Sequence, residues 1–388
     1  LLILSRRLKP CSTVVWIIIS TKIAEMKTLF AEYYRLSDEC IKEIWEESSI
    51  VFDTNVLLNL YRYNEDTCRE FIKVINFYKE RLWIPYQVGL EFHRRREDII
   101  RRNAAAYKTL GAKLSESLIK AVDALSSDFN RHPYINMSEI RKKVEKCANT
   151  IVKSLEKLEE SHPDYLKDDF ILNEVTQLFN GRVGADFFEE ELDEIYKEGE
   201  RRYINQVPPG YCDAKNKKDK GNRSLYGDLI VWKQTLRHSI ENKRNIIFVT
   251  DDHKPDWWDK VEGNHTPRKE LIKEFVNATE CGIIIYDSSR FLEYAKRNKE
   301  LKISKKTIDD VVKIKWDDIN YMTRLQEYIK GLNGSEYIVP LSKLDFNYSA
   351  PSESLEQQLS SIRQMSENLN RYTQFQESLK SFRSEEHT

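Results

Sequence analysis

Two short runs, Ile50-Val51-Phe52 and Ile246-Ile247-Phe248-Val249, are apolar without a break, and each gives way almost at once to aspartate. A strand with one wet face alternates apolar and polar residues. An unbroken run is buried on both faces, the condition of a parallel sheet covered by helices. Leu82-Trp83-Ile84, stopped by Pro85, and Ile283 to Tyr286 read the same way.

Helical patterns lie between these runs. Ser37 is a plausible N-cap ahead of Ile41, Ile44 and Trp45, and Asn64 with Glu65 and Asp66 starts a helix faced by Phe71, Ile72 and Ile75. Val88, Glu91, Phe92 and Arg95 begin another after Pro85. Leu229, Trp232, Leu236 and Ile240 mark a helix before the run at Ile246, and a further helix spans Pro267 to about Ala278. Only 12 glycines in 388 residues also favour helix over glycine-rich β architecture.

The α/β rhythm pauses for about a hundred residues, too long for a structureless loop. Leu110, Leu114, Leu118, Val122, Leu125 and Phe129 are spaced by three or four, and Ile140, Val144, Ala148, Ile151, Leu155 and Leu158 form a second series. This predicts an antiparallel helical hairpin, its second helix opened by Asn136 and Glu139. Shorter acidic helices around Phe170–Phe179 and Phe187–Tyr196 complete an insertion that ends at Pro208-Pro209-Gly210. The expected organisation is a leader or upstream extension at 1–25, an α/β domain in two parts at 26–106 and 208–300, a helical insertion at 107–207, and an extension at 301–388, part helical or disordered.

The leader carries Arg6, Arg7 and Lys9 before an apolar run of only Val14 to Ile19, too short to cross a bilayer and followed by no small-x-small cleavage pattern. The six cysteines are dispersed, with no CxxC pair and no histidine at zinc-ligand spacing. A reduced, cytoplasmic protein with no membrane association is expected. With 62 basic and 63 acidic side chains, global charge points to no partner.

The placement of the acids is more informative. Asp53 follows the first apolar run and Asp251 and Asp252 follow the run at Ile246, at strand ends where open parallel sheets bind ligands. Glu91, one to two helical turns after Leu82 to Ile84, and Asp228, in the first turn of its helix, can face the same edge. Carboxylates crowded in this way raise one another's pKa unless a cation joins them, and all-oxygen donors select Mg²⁺ or Mn²⁺. Each acid also has a bland role open to it: Asp53 to Asn55 as a strand-end turn and cap, Asp228 as a helix-dipole acid, Glu91 as a surface ion-pair partner to Arg94 or Arg95. Their joint occurrence at matching places is harder to set aside. Asn55 is positioned to orient a water or contact a phosphate, and Thr250 to hydrogen-bond a carboxylate.

The segments IVFDTNVLLNLYRY, IPYQVGLEFHRRR, YGDLIVWKQ and IIFVTDDHKPDWW, in this order, resemble the PIN domain superfamily, in particular its bacterial PIN-like branch with a long helical insertion. The resemblance spans roughly Thr28 to Lys299. It implies a flavodoxin-like α/β/α sandwich with a parallel central sheet, and a Mg²⁺- or Mn²⁺-dependent nuclease, usually acting on RNA and leaving a 5′-phosphate and a 3′-hydroxyl, in a toxin or defence role. It also implies Asp53, Glu91, Asp228 and Asp251 as the acid quartet, with Asp252 competing for the place of Asp251 as a metal ligand; Asp213, in the preceding loop and outside that quartet, is an additional candidate.

Two basic clusters adjoin these acids: Arg94, Arg95 and Arg96 with Arg101 and Arg102, and Lys215, Lys217, Lys218, Lys220 and Arg223. Either neutralises phosphates beside a scissile bond or is a solvated face. Trp257 and Trp258 read as packing material rather than as base-stacking platforms. The insertion is expected to shape access to the site, and it or the C-terminal extension to serve any protein partner or homo-oligomer. Other readings of the same residues are a DNA nuclease, a non-catalytic nucleic-acid-binding or regulatory module, and an aspartate-based phosphohydrolase. Asn55 stands where the last would need its second acid.

Overall fold

A computed structural model describes residues 26, 30–34, 36–214, 221–261, 264–297 and 301–314. The expected leader at 1–25, most of the C-terminal extension, and Lys215, Lys217, Lys218 and Lys220 lie outside the described residues. The chain divides into two compact units: residues 101–163 belong to one, and the described residues up to Ile100 and from Asp164 onward to the other.

The second of these is the expected α/β sandwich. Strands β1 (Ser49–Phe52), β2 (Leu82–Trp83) and β3 (Ile246–Val249) join a later strand, Ile283–Tyr286, in one parallel sheet, in the order β2, β1, β3 and then Ile283–Tyr286. Register pairs Phe52 with Val249 and Val249 with Tyr286, so β1, β3 and the last strand end level along one edge. All residues of β1 and β3 are buried, as their unbroken apolar sequence requires. The sheet is widened beside β2 by a single parallel bridge from Ile84 to Val183.

The flanking helices are α1 (Asp38–Glu47), α2 (Thr54–Asn59), α3 (Glu65–Phe77) and α4 (Tyr86–Phe129). The caps read from sequence are present: Ser37 accepts from the Cys40 amide at 3.3 Å and Asn64 from the Thr67 amide at 3.0 Å. The helix begun at Val88 and the first helix of the expected hairpin are continuous, α4 running as a single 44-residue helix. The apolar spacing lapses over Arg101-Arg102-Asn103-Ala104-Ala105-Ala106, but no proline or cap interrupts it, and alanines carry a helix through.

In the other unit, α4 beyond Arg101 runs antiparallel to α5 (Met137–Glu160). Tyr107 meets His162 at 3.1 Å near one end, and Arg141 reaches Asp123 at 2.9 Å near the other. Asn136 caps α5 through the Glu139 amide, as its sequence predicts.

Helices α6 (Phe170–Phe179) and α7 (Glu189–Ile204) lie within the insertion expected from sequence, yet they bury Ile171, Val175, Leu178, Leu192 and Ile195 in the same core as the sheet. After the short α8 (Asn222–Leu225), α9 (Gly227–Asn242) packs with α7 and with α10 (Lys269–Thr279). Between them stands an antiparallel hairpin absent from the sequence reading, β4 (Trp258–Val261) and β5 (Asn264–Pro267). The last sheet strand, β6 (Ile283–Tyr286), is followed by α11 (Ser288–Arg297), which packs on α3. No helix among the described residues is long and apolar enough to cross a membrane.

Gly199 of α7 faces the Tyr226 ring so closely that an added Cβ would lie 2.7 Å from Cε1. A rigid aromatic wall cannot yield as a flexible side chain does. Gly199→Ala is therefore expected to destabilise by about 1–3 kcal/mol, read as a lowered melting temperature; an unchanged melting temperature would show that α7 is free to shift.

Candidate active site

The level ends of β1 and β3 and the starts of α4 and α9 bring Asp53, Asp252, Glu91 and Asp228 within reach of one another's charge. Asp53 caps α2, accepting from the Thr54 amide through Oδ1 at 2.6 Å; its Oδ2 accepts from Thr250 Oγ1 at 2.7 Å and Asn55 Nδ2 at 2.9 Å. Burial pushes Asp53 up to about 7, and Asp228, then Asp252 and Glu91, add like-charge repulsion against the Thr250 bond. Those three carboxylates therefore lie close enough to act on Asp53.

Two glycines make room for them. An added Cβ on Gly227, at the start of α9, would stand 2.6 Å from Glu91 Oε1. Glu91 is steadied there by Gln87 Nε2 at 2.8 Å, with Arg95 3.8 Å away. Gly210 has φ of +92° and would bring a Cβ to 3.1 Å from that of Asp228. Only glycine combines that backbone conformation with so close an approach.

The adjacent Asp251 and Asp252 part company. Asp251 accepts from Asn59 Nδ2 at 3.0 Å, the Ser288 amide at 2.9 Å and Ser288 Oγ at 2.7 Å, which ties its carboxylate to α2 and α11. Burial raises its pKa, and these bonds oppose the rise. Asp252 instead meets Lys254, whose Nζ lies 2.7 Å from Asp252 Oδ2 and 2.9 Å from Asp213 Oδ1. Burial works against the Lys254 charge, but Asp252, Asp228 and Asp213 outweigh it and raise its pKa.

Asp256, on the same loop and 1 % exposed, accepts through Oδ2 from the amides of Gly210 at 3.0 Å and Cys212 at 3.1 Å. From the other side Arg202 donates to the Pro208 carbonyl at 2.9 Å. These bonds fix the 208–213 turn and so deliver Asp213 to Lys254. Sequence reading passed over Lys254 and Asp256, although the spacing Asp252, Lys254, Asp256 was there to be seen.

The other candidates separate. Asn55 is committed to protein: it donates to Asp53 and to Thr250 Oγ1, and its Oδ1 accepts from the Asp251 amide at 3.0 Å, lacing β1 to β3. Arg94 and Arg95 are exposed, whereas Arg96 pairs with Asp169 at 2.8 Å. Arg223 donates to Gln87 Oε1 at 2.9 Å and pairs with Asp186 at 2.7 Å. Trp257 and Trp258 are buried; Trp257 stacks on Phe248 with centroids 5.2 Å apart, and Trp258 Nε1 donates to the Asp252 carbonyl.

This donor set suits a hard divalent cation by its chemistry. Every donor is a carboxylate oxygen, and the mutual repulsion on Asp53 is what such an ion would relieve. As the side chains stand, no group of three or more His, Cys, Asp or Glu among the described residues is gathered closely enough to ligate one ion.

Comparison with known families matches residues 49–271, more than half of the chain, to a model described as a PIN like domain. Neither a curated protein nor a solved structure matches. The matched span includes Asp53, Glu91, Asp213, Asp228, Asp251 and Asp252.

Proposed function

Since the chain belongs to the PIN-like family, whose members are generally nucleases and typically use divalent metals, we propose that it is a Mg²⁺- or Mn²⁺-dependent endoribonuclease. It acts on single-stranded or structured RNA in the cytoplasm, in a toxin or defence role. The observation that carries this reading is the convergence of Asp228, Asp252 and Glu91 on Asp53, whose carboxyl burial already pushes up and whose rise to about 7 their like charge reinforces. Uncompensated charge of that kind destabilises a fold and is retained where a site needs it.

Asp53, Glu91 and Asp228 would hold the ion, and Asp252 beside them is held by Lys254. When bound, the ion polarises a phosphoryl oxygen and acidifies a water. The chain's own residues do the rest. Thr250 and Asn55 fix the Asp53 carboxylate and Gln87 that of Glu91, while exposed Arg94 and Arg95 neutralise phosphates beside the scissile bond. Asp251 serves the scaffold through Asn59 and Ser288.

The reading is tested by Mn²⁺-stimulated cleavage of labelled RNA, reversed by chelator. Asp252→Asn should lose at least about tenfold more activity than Asp251→Asn, whereas Asp251→Asn should lose more stability, about 1–3 kcal/mol, by unpairing buried donors. Binding without metal-stimulated turnover would favour a non-catalytic module, and preferential cleavage of DNA would correct the substrate.

A further inference from the structure

The acids of the site are not all alike in what surrounds them. Asp53 accepts from Thr250 and Asn55, Glu91 accepts from Gln87 with an exposed Arg95 3.8 Å away, and the charges of Asp228 and Glu91 act on Asp53. Asp252 and Asp213 already share a cation. Lys254 Nζ lies 2.7 Å from one and 2.9 Å from the other, and its backbone amide also donates to Asp252 Oδ1 at 2.9 Å. One residue therefore grips Asp252 by both of its oxygens.

This is no rim ion pair. The Asp252 and Asp213 side chains are only 13 % and 14 % exposed and that of Lys254 32 %, so the contact is less screened than a fully exposed surface bridge. Its geometry is also dictated from both directions. Asp256 and Arg202 pin the turn that presents Asp213, and Trp258 holds the carbonyl of Asp252. Asp256 keeps Oδ1 buried with no hydrogen-bond partner, a spare oxygen on the loop that carries Lys254.

We propose that Lys254 is the built-in second cation of this site: its ammonium stands between Asp213 and Asp252 where a second metal ion would otherwise bind, so the protein takes one divalent ion, on the side of Asp53, Glu91 and Asp228. The proposal rests on the functional reading for the first ion. A lysine is well suited to the place. It supplies one positive charge permanently, at a position set by the fold, where a metal would have to be captured from solution.

The test counts Mn²⁺ by calorimetry and by electron paramagnetic resonance on the full chain. Wild type and Lys254→Arg should bind one ion, and Lys254→Met should bind two, because Asp213 and Asp252 are then without their cation and Asp256 on the same loop has an oxygen to spare. Zero or two ions on the wild type, or a single ion on a folded Lys254→Met, overturns the proposal. Reductive methylation of the wild type, mapped by mass spectrometry, decides even if Lys254→Met fails to fold. Protection of Lys254 should be the same with and without saturating Mn²⁺, and a rise in labelling on adding Mn²⁺ means that an ion displaces the ammonium and sinks the idea. Both readouts are of binding. One ion with no RNA cleavage would refute the nuclease reading alone, and metal-dependent cleavage with two ions would refute this inference alone.

Discussion

Asp53→Asn should lower the cleavage rate about 10³-fold and at the same time raise the melting temperature of the metal-free protein at neutral pH. The second effect follows from the sign of the linkage. An acid raised from 3.8 to about 7 on folding binds its proton more tightly in the native state than in the unfolded one. Stability is then fullest below about pH 4, falls as pH rises toward 7, and stays low above that. The ionised form is disfavoured by on the order of 4 kcal/mol. Asparagine removes that penalty and forfeits part of the Thr250 and Asn55 hydrogen bonding, about 1 kcal/mol for each bond. The relief is the larger quantity. Wild type and variant should therefore melt together near pH 4 and diverge above pH 7, with asparagine the more stable by a few degrees. Mn²⁺ should raise the melting temperature of the wild type at pH 8 far more than at pH 5, and leave the variant nearly unmoved. A variant that is both fully active and no more stable would show that Asp53 is an ordinary capping residue.

Gly227→Ala should separate activity from stability in a different way. Its Cβ would stand 2.6 Å from Glu91 Oε1 and 3.5 Å from Gln87 Nε2, at the far end of a side chain that can swing away. Helix α9 gains a better helix former at its start. Stability should stay within about 1 kcal/mol of the wild type, but the Glu91 carboxylate must leave its place, and misplacement by about 1 Å is worth about 10²-fold in rate. The loss should fall on kcat rather than KM, and Gly227→Ala with Glu91→Ala should be no worse than Glu91→Ala alone. Full activity in the single variant would remove Glu91 from the site.

Asp53, Glu91 and Asp228 were legible in the sequence because each is marked by its own neighbours: an apolar run, a helix start, a strand just before. Level strand ends then bring such residues to one edge without further information. Asp251 and Asp252 could not be told apart in that way. What distinguishes them is Asn59, 192 residues upstream of Asp251, and Ser288, 37 residues downstream. Arg223 illustrates the same limit, since its partner Asp186 lies 37 residues back and turns an apparent phosphate ligand into an internal clamp. Local charge shows that a residue can bind an anion, and only the fold shows whether an anion of the chain itself is already there. The β4–β5 hairpin escaped notice because Asp259 and His265 disrupt any apolar alternation. The joined helix α4 did so because a polar stretch hides the apolar spacing while leaving helix propensity intact.

The partition of the region between the two halves of the α/β domain has a consequence for how such a chain can be remodelled. Residues 101–163 form a unit of their own, and its two helices meet again at Tyr107 and His162, so both strands of chain that lead into it come close together. It has the topology of a cassette: something that can be lengthened, exchanged or replaced by a short turn without rerouting the rest. The segment from Asp164 to Val207 has no such freedom. It supplies apolar faces to the core of the sheet, and Arg202 supplies the grip on Pro208 from which Asp213 is hung. Variation in length is therefore tolerable on one side of Asp164 and ruinous on the other, although both sides look alike as helical insertion in the sequence.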